Sequence, residues 1–233
     1  MRYYRASILT VSVMFCFGLF MIALAGCGPV EGPKGPTMAQ RPAGEAEEAP
    51  RQEPSTAPIT EERTYYDFEG DLSGWEVPMW AMGKSDYVAK DVTISEDVAS
   101  HGKSSMKMEV DFPGGTWTAG LVEIQQYLDM SRYRAIRTDI YLPKDAPIGL
   151  KAKLILTVGS NWKFVEMSRS VPLIPGEWAT ITANIEPGSY DWKRVVPDEK
   201  FAQDVRKIAI RIESNRKPAY TGVIYVDNVR IGR

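Results

Sequence analysis

Histidine is nearly missing from this chain. His101 is the only one, so a Ser/His/Asp or Cys/His catalytic arrangement has no other candidate base. Cysteine is scarce as well: Cys16 and Cys27 are the two present, and no CxxC, HExxH, P-loop or GxGxxG pattern occurs, which leaves zinc, nucleotide and dinucleotide readings without support. Neither sign of charge dominates. With 28 Lys and Arg against 30 Asp and Glu the formal net charge is −2, and no basic face points to nucleic acid or acidic lipid. Long helical periodicity is lacking, and only residues 198–205 read as a short helix. Acids are numerous enough for paired-carboxylate hydrolysis of a glycoside. However, no E-x-D-x-x-E strand occurs, and Asp86, Asp91, Glu96 and Asp97 are spread along one segment as solubilising groups.

The chain begins with an uncharged run. Residues 8–25 carry no charge, sit behind Arg2 and Arg5, and close on Leu24-Ala25-Gly26-Cys27. A basic start, an apolar middle and small residues before a cysteine are what a secretory signal needs. The pattern resembles the lipobox of bacterial lipoproteins. That implies removal of residues 1–26 as a signal peptide and an N-terminal lipid on Cys27. The other reading is an uncleaved anchor, since a spanning helix becomes plausible at about 18 apolar residues. Either way the remainder is tethered to the membrane outside the cytoplasm. Gly28 does not resemble the Asp that retains some lipoproteins at the inner membrane, so the expected place is the cell envelope, at its periplasmic face or the cell surface and most simply on the outer membrane. Cys16 leaves with the signal, and Cys27 alone cannot form an intrachain disulfide. Residues 27–63 are dominated by Pro, Glu, Ala and Gly. They cannot bury enough apolar surface to offset their ordering entropy and read as a disordered, extended linker.

Residues 64–233 form the domain, and here alternation takes over. Met106, Met108 and Val110 alternate with Lys107, Glu109 and Asp111; Ile208, Ile210 and Ile212 alternate with Ala209, Arg211 and Glu213. Ile136, Ile140 and Leu142, and Ile181, Ala183 and Ile185, follow the same rule. Each run is a strand with one buried face. About eleven strands are predicted, at 64–69, 75–78, 86–95, 105–111, 119–127, 135–142, 150–159, 163–173, 178–185, 206–214 and 222–231. With no long helix to cover a sheet, two sheets must cover each other, giving an all-β, two-sheet β-sandwich.

Four segments carry a family resemblance. Tyr66-Asp67-Phe68-Glu69-Gly70-Asp71-Leu72-Ser73-Gly74-Trp75 resembles the opening of galactose-binding-like β-jelly-roll domains, especially carbohydrate-binding modules. Ser100-His101-Gly102-Lys103-Ser104-Ser105-Met106 resembles their S-x-G-x-x-S turn. Leu128 to Arg134 with Ile140-Tyr141-Leu142-Pro143 is similar to their edge loop and following strand, and Thr221 to Val229 to their terminal strand with its Asp-Asn pair. The resemblance implies a structural calcium held by Asp67, Glu69 and Asp227 with oxygens of the Ser100 to Ser104 turn, calcium being a cation that takes several hard oxygen ligands. The bland alternative is a set of solvated turn acids.

Sugar recognition uses flat aromatic faces, so the six tryptophans matter. Trp75 and Trp178 read as structural. Trp80, Trp117, Trp162 and Trp192 lie among polar or turn residues and read as candidate ligand contacts, since an amphipathic indole suits a partly wet surface. Gln125 shares a predicted strand face with Glu123 and Tyr127 and adds hydrogen-bonding capacity there; a solvated sheet face is the alternative. The first expectation is a membrane-anchored lipoprotein whose jelly roll binds an oligosaccharide or polysaccharide without catalysis. A structural lipoprotein binding a protein partner through the same fold is the second, and a glycanase or lyase the third.

Overall fold

The computed structural model describes Ser55, residues 57–216 and residues 218–233. Cys27, the signal peptide and most of the expected linker lie outside the described residues. Eleven strands follow one another: β1 Glu62–Tyr66, β2 Ala89–Ser95, β3 Ser105–Pro113, β4 Trp117–Leu128, β5 Ala135–Tyr141, β6 Leu150–Val158, β7 Lys163–Glu166, β8 Val171–Pro172, β9 Trp178–Asn184, β10 Val205–Asn215 and β11 Ala219–Gly232. Six form one sheet in the order β2-β3-β11-β5-β9, with β1 also on β11; five form the other in the order β4-β10-β6-β7, with β8 also on β6. Every ladder is antiparallel. The chain crosses between sheets from β3 to β4, from β4 to β5 and again from β5 to β6, as a jelly roll requires.

The alternating residues do what the pattern demands. Met106, Met108, Val110, Ile136, Ile140, Leu142, Ile181, Ala183, Ile185, Ile208, Ile210 and Ile212 are all buried in one continuous core between the sheets. Trp75 joins them, meeting Tyr66 edge-on at 5.6 Å and Phe68 at 6.3 Å. β1 starts at Glu62, two residues before the expected 64, and Thr60 and Glu61 already donate to the Arg233 carbonyl.

Three local expectations are corrected. Residues 75–78 make no strand, only a single bridge from Glu76 to Glu123. The expected strand at 163–173 is broken, because Ser168 leaves the ladder and donates to the Asp191 and Tyr190 carbonyls while Met167 bridges to Trp192. The short helix expected at 198–205 is a run of turns closed by Phe201 N–H to Asp198 and Gln203 N–H to Lys200; the Ala202 carbonyl is engaged instead by the Met130 N–H at 2.7 Å.

Candidate functional site

The outer face of the five-stranded sheet carries the side chains that alternation turns away from the core. Register aligns Glu123, Ala209 and Ile155 in one row, and Gln125, Lys207, Thr157 and Phe164 in the next. Leu121, Ile155 and Ala209 form a small apolar floor of their own against Tyr87. Over this floor opens a cleft of about 210 Å³. Trp80, from the loop before β2, makes one wall, and Trp162 and Phe164, from the β6–β7 hairpin, make another. Trp80 is 40% exposed and Trp162 41%, whereas Glu123 beneath them is 8% exposed.

The polar groups hold these walls in place. Glu123 accepts from Lys207 Nζ at 2.6 Å and from Trp80 Nε1 at 3.3 Å, so a buried carboxylate is both neutralised and used to fix an indole plane. The Lys84 ammonium lies 4.9 Å from the Trp80 ring, and Tyr87 meets that ring edge-on at 5.0 Å. Beyond the floor, Arg211 binds Glu166 and reaches Glu213 at 3.3 Å; Lys193 closes on Glu166 at 2.7 Å and Lys153 on Glu213 at 3.8 Å. Burial alone would raise the Glu166 carboxyl, but hydrogen bonds from Lys193 and Arg211 outweigh it and hold the group below the ordinary carboxylate range. The result is a charge-balanced face with exposed aromatic planes. It suits a ligand with apolar faces and many hydroxyls.

Of the residues singled out from sequence, Trp80 and Trp162 meet in this cleft, and Gln125 lies exposed on the same strand face opposite Lys207. Trp117 sits half-buried at the other end of β4, edge-on to Tyr87 at 6.4 Å and 5.7 Å from the Arg211 guanidinium. Trp192 is corrected. It is 3% exposed, packs on Phe201 at 5.4 Å and donates to the Asn184 carbonyl at 2.6 Å, so its ring has no free face for a ligand. Trp178, expected to be structural, is half-buried on the outer face of the other sheet against Tyr141.

The expected calcium residues lie around the Ser100 to Ser104 turn, but their oxygens are directed at backbone N–H groups. Asp227 Oδ2 accepts from Ser100 N at 2.7 Å and His101 N at 2.9 Å, and Oδ1 from Asn228 N at 2.6 Å. Glu69 Oε1 accepts from Lys103 N at 2.8 Å and Ser104 N at 3.1 Å, which holds its carboxyl low, while Ser104 Oγ donates to the Phe68 carbonyl. Asp67 caps Glu69 N, at 3.3 Å. Among the described residues no three His, Cys, Asp or Glu side chains are grouped to hold a metal ion. Asp67, Glu69 and Asp227 do not converge on one point, and hydrogen bonds to Asp227 fasten the turn to β11.

A family model described as mannanase, galactose-binding domain-like matches residues 66–228. The chain belongs to this family. Among solved structures, the carbohydrate-binding module CBM27-1 of Caldicellulosiruptor saccharolyticus, in complex with mannohexaose, is similar with a TM-score of 0.52 and 21% identity over 73% of this chain and 96% of that one. A non-crystalline-cellulose-specific module, CBM28, is similar at 0.52 and 18% identity over 75% and 96%. Both likenesses are of fold. No curated protein sequence matches the chain.

Sequence reading missed Lys207, Thr157 and Phe164 in this family member's cleft. Each is an outward position of a strand, but only the register across β4, β10, β6 and β7 brings them to Glu123. Lys84 was equally silent, because a loop residue has no period to betray its neighbours, and Tyr87, expected in a strand at 86–95, makes only a bridge to Ala119 ahead of β2.

Proposed function

We propose that this domain binds the backbone of a neutral β-linked polysaccharide, mannan in the first instance, on the outer face of the five-stranded sheet, and does no chemistry on it. One observation carries the reading: two tryptophans, each about 40% exposed, flank a buried Glu123 and its half-buried partner Lys207 over an apolar floor. Indole faces stack on the apolar faces of pyranose rings, and the pair offers an acceptor and a donor to ring hydroxyls. The mannohexaose bound by the CBM27-1 relative supports the choice of sugar. Glu123, Glu166 and Glu213 are each engaged by a lysine or arginine, an arrangement that fixes side chains and does not free an acid and a base for hydrolysis. The lipobox-like Leu24 to Cys27 supports a lipid anchor on Cys27 that would hold this face at the cell envelope.

Calorimetry of the full chain against mannohexaose, cellohexaose and xylohexaose tests the reading. Mannohexaose should bind, Trp80→Ala and Trp162→Ala should each weaken it tenfold or more, and no reducing ends should accumulate. Binding of none of the three sugars, or equal binding by both variants, overturns it. Loss of lipid labelling in Cys27→Ser, in the same preparations, checks the anchor.

A further inference from the structure

Regular alternation along β10 would send Val205 and Lys207 to one face and Arg206 to the other. The structure does otherwise. The register slips between Val205 and Lys207 against both β4 and β6, with Val205 fully buried and Lys207 outside on Glu123. Such a bulge re-aims a side chain, and here it brings Arg206 onto the outer face beside Lys207.

There the guanidinium carbon lies 5.4 Å from the Tyr127 ring centre and 5.0 Å from that of Trp162, whose rings meet edge-on at 6.3 Å. Asp204 accepts from Arg206 Nε at 3.1 Å and Nη2 at 3.0 Å, which sets the plane of the cation. The Asp204 carbonyl also accepts the Gly159 N–H at 2.8 Å, and the Gly159 carbonyl accepts the Trp162 N–H at 3.0 Å. One residue therefore anchors both the cation and the turn that bears the indole. Trp162 itself sits at φ +55°, a left-handed backbone that bulky side chains avoid and that persists only where the surroundings enforce it. A bulge, a strained backbone and a cation held between two rings meet at one rim of the cleft.

We infer that Arg206 is a positioning residue of this site: clamped by Asp204, it holds Trp162 and Tyr127 at fixed angles before the sugar arrives, so that little aromatic ordering remains to oppose binding. The inference rests on the carbohydrate reading of this face. An ordinary surface ion pair contributes almost nothing and would leave sugar affinity unmoved.

The test uses the full chain with mannohexaose and compares wild type, Arg206→Ala, Arg206→Lys, Trp162→Ala and the double variant Arg206→Ala with Trp162→Ala, alongside the indole N–H resonance of Trp162. Arg206→Ala should weaken binding about tenfold and shift or broaden that resonance, while Tm changes by only a few degrees. Arg206→Lys keeps the charge without the planar fork and should fall between. The double variant should bind within about twofold of Trp162→Ala alone, since coupled residues do not add. Wild-type affinity in Arg206→Ala, or strictly multiplicative losses in the double variant, overturns the inference. If wild type binds none of the three sugars the carbohydrate reading falls, and the resonance then decides: an unmoved Trp162 signal overturns the positioning role by itself.

Discussion

Trp162 and Trp192 follow similar polar dipeptides, Ser160-Asn161 and Tyr190-Asp191, yet their environments are opposite. Trp162 is 41% exposed on a hairpin turn, while Trp192 is 3% exposed in the core. Replacing Trp192 by Ala should cost about 3–5 kcal/mol, the usual price of a large buried aromatic. It also strips the Asn184 carbonyl of its donor. Trp162→Ala should cost about 1 kcal/mol or less, since it removes mainly a surface stack on Arg206. Urea unfolding of the two variants reads the difference, and equal losses would mean that Trp162 is packed and not presented. What made Trp192 look available was the loop around it. What buries it is the bridge to Met167, which draws its segment onto the sandwich, and its packing on Phe201.

At the level of elements, the Ser100 to Ser104 turn shows how side-chain acceptors fasten a loop to a strand. Gly102 has φ +69°, and a Cβ there would lie 2.1 Å from Glu69 Oε1. Gly102→Ala should therefore destabilise by at least about 1–2 kcal/mol from the left-handed backbone alone, with a further loss as Glu69 is pushed off the Lys103 and Ser104 N–H groups. Thermal melting of this variant beside Glu69→Gln checks it. A Gly102→Ala protein as stable as wild type would show that the turn is loose. The strands themselves were legible from period-two alternation, as at Ile208, Ile210 and Ile212. The break at Ser168 and the bulge at Arg206 were not, because each is caused by pairing with a distant segment and leaves no local mark.

For the molecule as a whole, ionisation sets stability limits at both ends of the pH scale. Burial pushes the Tyr66 hydroxyl up to about 12, and burial with the Asp97 hydrogen bond pushes Tyr225 up to about 12. A folded value above the unfolded one, near 10, means that their contribution is complete below pH 10 and is lost as pH rises toward 12. In the other direction, hydrogen bonds hold Glu69, Asp97 and Asp129 low, and the Lys193 and Arg211 hydrogen bonds overcome burial at Glu166. Their contribution is present above the ordinary carboxylate range near 4 and is lost as pH falls through it. Asp227 runs against them, because burial raises it despite the His101 and Ser100 N–H bonds. Tm should thus be flat between about pH 5 and pH 9.5 and fall at both ends. Tyr225→Phe should shallow the alkaline arm, and an unchanged arm would place the loss elsewhere.

The sequence by itself determined that the domain is a two-layer β-sandwich and which side chains of the alternating strands enter its core, because the pleat of a strand makes inward and outward positions a local matter of odd and even. Trp80 and Trp162 were recognisable as unusual for the same reason: neither belongs to an alternating run. Tertiary structure alone decided which strands lie side by side and by how many residues each is offset. Glu123, Lys207, Thr157 and Phe164 become neighbours only through three strand pairings, and Arg206 reaches its two rings only through a slip of register. A one-residue shift sends a side chain to the opposite face, so the cleft depends on long-range pairing and could not be read from any single segment.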